Sequence, residues 1–374
     1  MLALTGARIF DGEAWLERHA VVVENGVIRA VLAEAELGDR IERRHLGGGV
    51  LAPGFIDVQV NGGGGALLNA DPTPATVARI AEAHRVYGTT GLLPTVITDA
   101  PDVLARAIAA VRVARHEAPA VLGIHIEGPF IDVARKGAHD ASFIRAMTAQ
   151  DVEMIAAADC GAVMLTLAPN RVAPSLIAAL AKRGVVVSLG HADATCAEAQ
   201  AALGAGARAF THLYNAMSQL TGRAPGVVGA ALADPESFVG IIADGHHVAD
   251  DALRVAFAAK PRDRVMLISD AMPTAAGGPD SFDLQGRRVM RRAGRLSLED
   301  GTLAGSDLTM DAALRYCVQR LKIDLGQALV MASRNPAALL RRSHDLGQIA
   351  PGYLANLVHL GDDLRVIGTW VGGK

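Results

Sequence analysis

Four polar residues stand at the ends of four separate apolar runs. Glu127 closes VLGIHIE, His191 closes VVVSLGH, His212 lies in AFTHLYNAM and Asp270 closes VMLISD. A carboxylate and two imidazoles suit one divalent metal that keeps a position open for water. A further carboxylate outside the ligand set can take the proton from that water. This combination points to metal-assisted hydrolysis. Each run reads as a strand, and each residue falls at its C-terminal end, where the active sites of parallel α/β barrels lie.

Every one of these residues has a competing structural role. Glu127, between isoleucine and Gly-Pro, is costly to bury unless it is paired or metal-bound, so a structural ion pair competes. His191 and His212 taken singly read as hydrogen-bonded core histidines; three such residues at strand ends weaken that reading. Asp270 can accept a water proton and return it to a leaving amine, or it can cap the segment that starts at Met272. His139 follows Lys136-Gly137 in the loop after the Glu127 strand. It can polarise a substrate carbonyl or lie in solvent. His125 shares the Glu127 face by period two and suits a residue that orients a ligand.

Gln59 and Asn61 end an earlier run as Gln-x-Asn, before Gly62 to Gly65. With no GK[ST] and no GxGxxG, these glycines read as a tight turn that leaves room for substrate rather than as a phosphate loop. Arg223, in TGRAPG, and the pair His246-His247 are candidates for an anion, because the planar guanidinium matches phosphate oxygens.

The elements that must position these residues follow from periodicity. From about Leu51 short β-branched runs alternate with alanine-rich stretches of helical spacing. The runs are FIDVQV, TGLLPTVI, VLGIHIE, VMLTLAP, VVVSLGH, RAFTHLY, FVGIIADG and VMLISDA. Eight strand–helix units predict an α/β fold, a (β/α)8 TIM-like barrel. Residues 1–50 and 345–374 read instead as short strands and turns, with Asn25-Gly26 as a hairpin turn. Neither end has the apolar residues for a core of its own. The expectation is a small β-sandwich-like domain built from 1–50 plus 345–374, beside a barrel of 51–344. Residues 272–310 break the alternation with several glycines and a hairpin, either a lid over the site or a plain surface hairpin.

Composition sets bounds. The chain has 374 residues, 51% of them hydrophobic, which supports a large core. A net charge of -3 gives no basic footprint for nucleic acid. The three cysteines, Cys160, Cys196 and Cys317, are widely spaced and odd in number, which favours a reducing compartment over a disulfide framework. The first residues lack the basic and apolar regions of a signal peptide, and no uncharged apolar stretch reaches membrane-spanning length. The expectation is a cytoplasmic protein with neither a membrane nor a nucleic-acid partner.

The stretches PGFIDVQVNGGGG, HIEGPF, KGAHD, LGHADAT, THLYNAM, TGRAPG, ADGHHV, ISDAM and GTLAGSDLTM carry a resemblance. In them the chain resembles the amidohydrolase superfamily and, more closely, its N-acetylglucosamine-6-phosphate deacetylase family. The resemblance spans essentially the whole chain. It implies that Glu127, His191 and His212 hold the metal, that Asp270 is the acid/base, and that His139 assists the substrate carbonyl. Arg223 and His247 would bind the sugar phosphate, with Arg223 reaching a neighbouring subunit's site in a homodimer. Asn215, Ala216, Ala138, Leu303, Ala304 and Gly305 would line the substrate. Many superfamily members carry His-x-His where Gln59-x-Asn61 stands here, and neutral amides are poor zinc ligands. The implied cofactor is therefore one divalent ion per subunit, Zn2+ by default, with Fe2+ compatible with the same donors. The implied reaction is deacetylation of N-acetylglucosamine 6-phosphate to glucosamine 6-phosphate and acetate. A deacetylase for another N-acyl amino sugar and a catalytically silent binding scaffold are the rivals.

Overall fold

The computed structural model describes residues 1–374. Its centre is a ring of eight parallel strands: β1 (Phe55–Val60), β2 (Thr89–Ile97), β3 (Gly123–Glu127), β4 (Ala162–Leu167), β5 (Val186–Leu189), β6 (Ala209–Phe210), β7 (Phe238–Ile241) and β8 (Val265–Leu267). They neighbour one another in sequence order, from β1 round to β8. The ring closes through a parallel bridge between Val60 and Ala271, backed by Asp270 N–H donating to the Gln59 carbonyl at 2.9 Å. All eight runs expected from the sequence are strands. β1, β2 and β3 are buried along their whole length, as strands covered on both faces should be.

Helices cross over between the strands. Their starts are written locally. Thr73 caps the helix Pro74–Arg85 by accepting from Thr76 N–H, with proline in its first turn. Thr148 with Asp151, and Thr195 with Glu198, form reciprocal capping boxes on the helices Ala149–Ala156 and Cys196–Gly204. No helix is long and apolar enough to cross a membrane. All three cysteines are free.

The chain ends form two further sheets, of four and five strands, using residues 2–53 and 357–370. Asn25 and Gly26 turn the hairpin between His19–Glu24 and Val27–Ala33, both with positive φ, +51° and +82°. Leu357–Leu360 from the C-terminus pairs antiparallel with Val50–Pro53 from the N-terminal part, so neither end completes its sheet alone. That strand carries the small sheet past residue 50. Leu4, Val21, Leu51, Leu357 and Trp370 pack together between the sheets. Phe10, Val358 and Leu360 belong instead to the continuous barrel core of 85 buried apolar residues, which welds the two parts together.

After β8 comes a three-stranded antiparallel sheet, Ser281–Leu284, Arg287–Arg292 and Arg295–Ser297. It buries Leu284, Val289 and Leu296 against Ile97, Ala138, Met272 and Ala304 at the C-terminal end of the barrel. The segment is thus a packed hairpin at the mouth, with a core of its own.

Candidate active site

Glu127 is the last residue of β3. His191, His212 and Asp270 lie two or three residues beyond β5, β6 and β8. All three of the latter have left-handed backbones, with φ of +48°, +31° and +53°. That conformation is uncommon for residues with a side chain, costs on the order of 1–3 kcal/mol each, and clusters at functional sites. Here it breaks the up–down alternation of the strands. Glycine before His191 helps the turn, since a Cβ on Gly190 would sit 3.1 Å from Thr166.

Glu127 Oε1 is 3.3 Å from His191 Nε2 and 3.2 Å from His212 Nε2, and the two Nε2 atoms are 2.9 Å apart. Ligands of a tetrahedral ion bound at about 2.0–2.1 Å stand roughly 3.3 Å apart, so the three atoms fit the edges of one coordination shell. His139 lies farther out, with Nε2 3.8 Å from Glu127 Oε2. Glu127, His139 and His191 also bring ligand atoms within 4.8 Å of one another, but His212 is nearer to Glu127 and its Nε2 lies 2.9 Å from that of His191. The chain therefore carries a Glu/His/His group able to hold a metal ion. His191 is oriented by its Nδ1 against the Arg135 carbonyl at 2.9 Å.

Gln59, in β1, and Asn61, just beyond its end, between them contact both carboxylates. Gln59 Nε2 donates to Glu127 Oε1 at 2.9 Å and to Asp270 Oδ1 at 3.2 Å, and Asn61 Nδ2 donates to the same Asp270 oxygen at 2.7 Å. Gln59 Oε1, Asn61 Oδ1 and His212 Nδ1 are buried without a protein partner.

The charges follow from burial and neighbours. Burial pushes the Glu127 carboxyl up, but hydrogen bonds to His191 and His212 and their charge outweigh it and hold it well below the usual range. Burial and then the Glu127 charge push Asp270 up to about 6. Burial, reinforced by His191, holds His139 well below the ordinary imidazole value, so its ring is neutral. The two carboxylates thus differ, one fixed as an anion and the other near the range where it can both take and give a proton.

These groups form the floor of a cavity of about 380 Å³. Of the residues expected at the site, Asn61, Glu127, Ala138, His139, His191, His212, Asn215, Ala216, His247, Asp270, Leu303 and Gly305 line it. Gln59, 1% exposed, lies beneath the floor, and Ala304 is fully buried behind the wall. Arg223 stands in an exposed loop and does not line this chain's cavity. The two adjacent histidines part company. His247 faces the cavity with Nδ1 held by Asp244 Oδ2 at 2.6 Å, whereas His246 is exposed and borders a separate, smaller recess beside Gly294.

Sequence reasoning missed several contributors. Ile97, Arg135, Ile242, Met272 and Thr302 also line the cavity. Thr98 Oγ1 holds His139 Nδ1 at 2.8 Å. Asp244 is the one with a legible signal, a carboxylate three residues before a candidate histidine in ADGHH.

A barrel of this topology with a metal-capable Glu/His/His group and a separate carboxylate at its C-terminal mouth defines a hydrolase of the metal-assisted class. Residues 50–374 match the model of the Amidohydrolase family and residues 1–51 that of the NagA composite domain. The chain belongs to the amidohydrolase family. Its relatives include the N-acetylgalactosamine-6-phosphate deacetylase of Shewanella sp., 40% identical over all of this chain and 95% of that protein. The N-acetylglucosamine-6-phosphate deacetylase of Haemophilus influenzae is 33% identical, over all of this chain and 98% of that protein. The crystal structure of N-acetylglucosamine-6-phosphate deacetylase from Pasteurella multocida superposes with a TM-score of 0.97 at 35% identity, covering 100% of this chain and 98% of that one.

Proposed function

We propose that this chain hydrolyses the N-acetyl group of N-acetylglucosamine 6-phosphate, giving glucosamine 6-phosphate and acetate. The observation that carries the reading is the convergence, on one cavity floor, of the Glu127/His191/His212 cluster with the separately held carboxylate of Asp270. The relatives matched from end to end supply the substrate class.

Glu127, His191 and His212 would hold one divalent ion, zinc(II) in this reading, with iron(II) suited to the same donors. When bound, such an ion supplies Lewis acidity and lowers the pKa of a water. Asp270 has Oδ1 tied to the Asn61 and Gln59 amides, which leaves Oδ2 to take a proton from the attacking water. It then returns that proton to the amine nitrogen as the C–N bond breaks. The neutral His139 donates from Nε2 to the acetyl oxygen when the Thr98 hydroxyl donates to Nδ1. Asp244 fixes His247 through Nδ1, so Nε2 is left for the phosphate. Asn215, Ala216, Ala138, Leu303 and Gly305 form the walls around the sugar. Arg223, on its exposed loop beside the half-exposed Leu220, is assigned to the partner's site in a homodimer. The same reading divides the chain into 1–50 with 345–374 and a catalytic barrel of 51–344, and places the enzyme in the cytoplasm.

A second reading, N-acetylgalactosamine 6-phosphate as the preferred substrate, is favoured by the 40% identity to the Shewanella enzyme of that name. Acetate release separates the possibilities. The three substrates are both phosphorylated epimers and unphosphorylated N-acetylglucosamine, compared by kcat/KM. The proposal expects the glucosamine epimer to lead and the unphosphorylated sugar to trail far behind. A lead by the galactosamine epimer would install the second reading, and no release from either phosphate would sink both.

A further inference from the structure

The hairpin that follows β8 touches the site through two polar side chains at its first turn. Gln285 stands in that turn with φ of +53°, followed by Gly286 at +76°. Its Nε2 donates to the Thr98 carbonyl at 2.8 Å. Arg287, two residues on, donates from its guanidinium to the Ala138 carbonyl at 2.5 Å. Arg287 is half-buried and has no carboxylate partner within ion-pair distance. Its neighbours Arg291 and Arg288 spend their groups elsewhere, on Asp280 and Asp307 and on Ser281. The carboxylates of Asp140 and Asp300 lie in the field of the Arg287 charge, but its shortest contact is the Ala138 carbonyl, with Gln285 Oε1 farther off at 3.5 Å.

Both acceptors lead to one ring. Thr98 presents its hydroxyl to His139 Nδ1 at 2.8 Å, and Ala138 is the residue before His139. The hairpin's apolar face follows the same route, since Leu284, Val289 and Leu296 pack with Ile97, beside Thr98, and with Ala138. The competing acceptor for the Thr98 hydroxyl, the Glu127 carbonyl, is 3.4 Å away. When the single Thr98 hydroxyl proton goes to Nδ1, the nearer of the two acceptors, the ring proton sits on Nε2, the nitrogen 3.8 Å from Glu127 Oε2.

We propose that Gln285 and Arg287 are positioning residues that clamp the Thr98 and Ala138 backbones, and thereby fix the rotamer and tautomer of His139 from an element that carries no reacting group. The hairpin acts as a fixed brace. This inference rests on the role given to His139 above.

The test is a kinetic cycle on the metal-loaded full-length enzyme with N-acetylglucosamine 6-phosphate, run beside crystal structures. Arg287→Met and Gln285→Met together keep side-chain length and remove both donors. The expected result is a fall in kcat of about 10-fold, because small misplacements of a reacting group are amplified in rate. KM should stay within about two-fold and metal content should be unchanged. Arg287→Lys should recover most of the loss at its position. On a His139→Gln background the hairpin changes should cost nothing further, since they act through a ring that is gone. Unchanged kcat, or a loss of full size on that background, overturns the clamp. In the crystal structure of the double variant the His139–Thr98 contact should be lost, and a ring left in place would also overturn it. If His139→Gln alone spares kcat, the catalytic role of His139 fails, and the ring position in the double variant still decides the clamp.

Discussion

Asp270 accepts two amide donors on one carboxylate oxygen, from Asn61 and Gln59, and none from the protein on the other. An asparagine there can keep its carbonyl oxygen on Asn61 but has no lone pair basic enough to take a proton. Asp270→Asn should therefore hold metal as the parent does, while kcat falls by roughly 10²–10⁴-fold. Elemental analysis beside steady-state kinetics checks both halves, and near-parental turnover would move the base to His139. The same carboxyl sets an acid limb. It must be ionised to work, so activity falls as pH drops through its pKa. Burial and the Glu127 charge put that value at about 6. A bound cation favours the anion and moves it lower, so about 6 is the upper bound for the limb. These residues were legible because a carboxylate or imidazole ending an apolar run is costly without a purpose. Thr98 was not, because a threonine after TVI has the composition of strand and leaves no mark of the ring it holds.

At the scale of elements the seam between β1 and β8 carries the site. Asp57, wholly buried on β1, accepts from Ser269 N–H and from Gln59 N–H, all at 3.2 Å. It thus ties down the residues beside Asp270 and Gln59. Burial pushes its carboxyl from 3.8 up to about 7. A group whose folded pKa is raised stabilises the fold fully below its unfolded value, and that share is lost as pH rises through the folded one. The parent protein should therefore lose thermal stability relative to Asp57→Asn between pH 3.8 and about 7, with the two curves parallel above that window. Parallel Tm–pH curves throughout would mean that Asp57 is ionised in the fold across the range. The same strand sets metal stoichiometry. Gln59 and Asn61 spend their amides on Glu127 and Asp270, so elemental analysis after exhaustive dialysis should find about one ion per chain. Two tightly held ions would overturn this. All eight barrel strands could be read from their apolar runs, even β6, which is two residues long as a ladder but framed by AFTHLY. The hairpin's task could not be read. Gln285 and Arg287 have the polarity of exposed strand residues, and the carbonyls they hold are 187 and 149 residues away in sequence.

At the scale of the whole molecule one residue remains unplaced by a single chain. Arg223 lies in an exposed stretch from Gln219 to Pro225, outside the cavity that holds the other expected phosphate ligand, His247. No pattern within one chain says where such a loop ends up if the surface that receives it belongs to another copy. If it completes the neighbouring site of a symmetric dimer, each active site is built from two chains. Arg223→Ala should then raise KM for the phosphorylated substrate, at a cost of about 1.5–3 kcal/mol for a lost charge-assisted contact. Unphosphorylated N-acetylglucosamine and metal content should be little affected. Mixing Arg223→Ala with Asp270→Asn chains, after subunit exchange, should restore activity at low substrate. In each mixed dimer the Arg223→Ala chain keeps its own Asp270 and receives an intact arginine from its partner, so with random exchange about a quarter of all sites work. A tagged-chain pull-down verifies that exchange took place. If mixed dimers form and no activity returns, Arg223 acts within its own chain or has no part in binding.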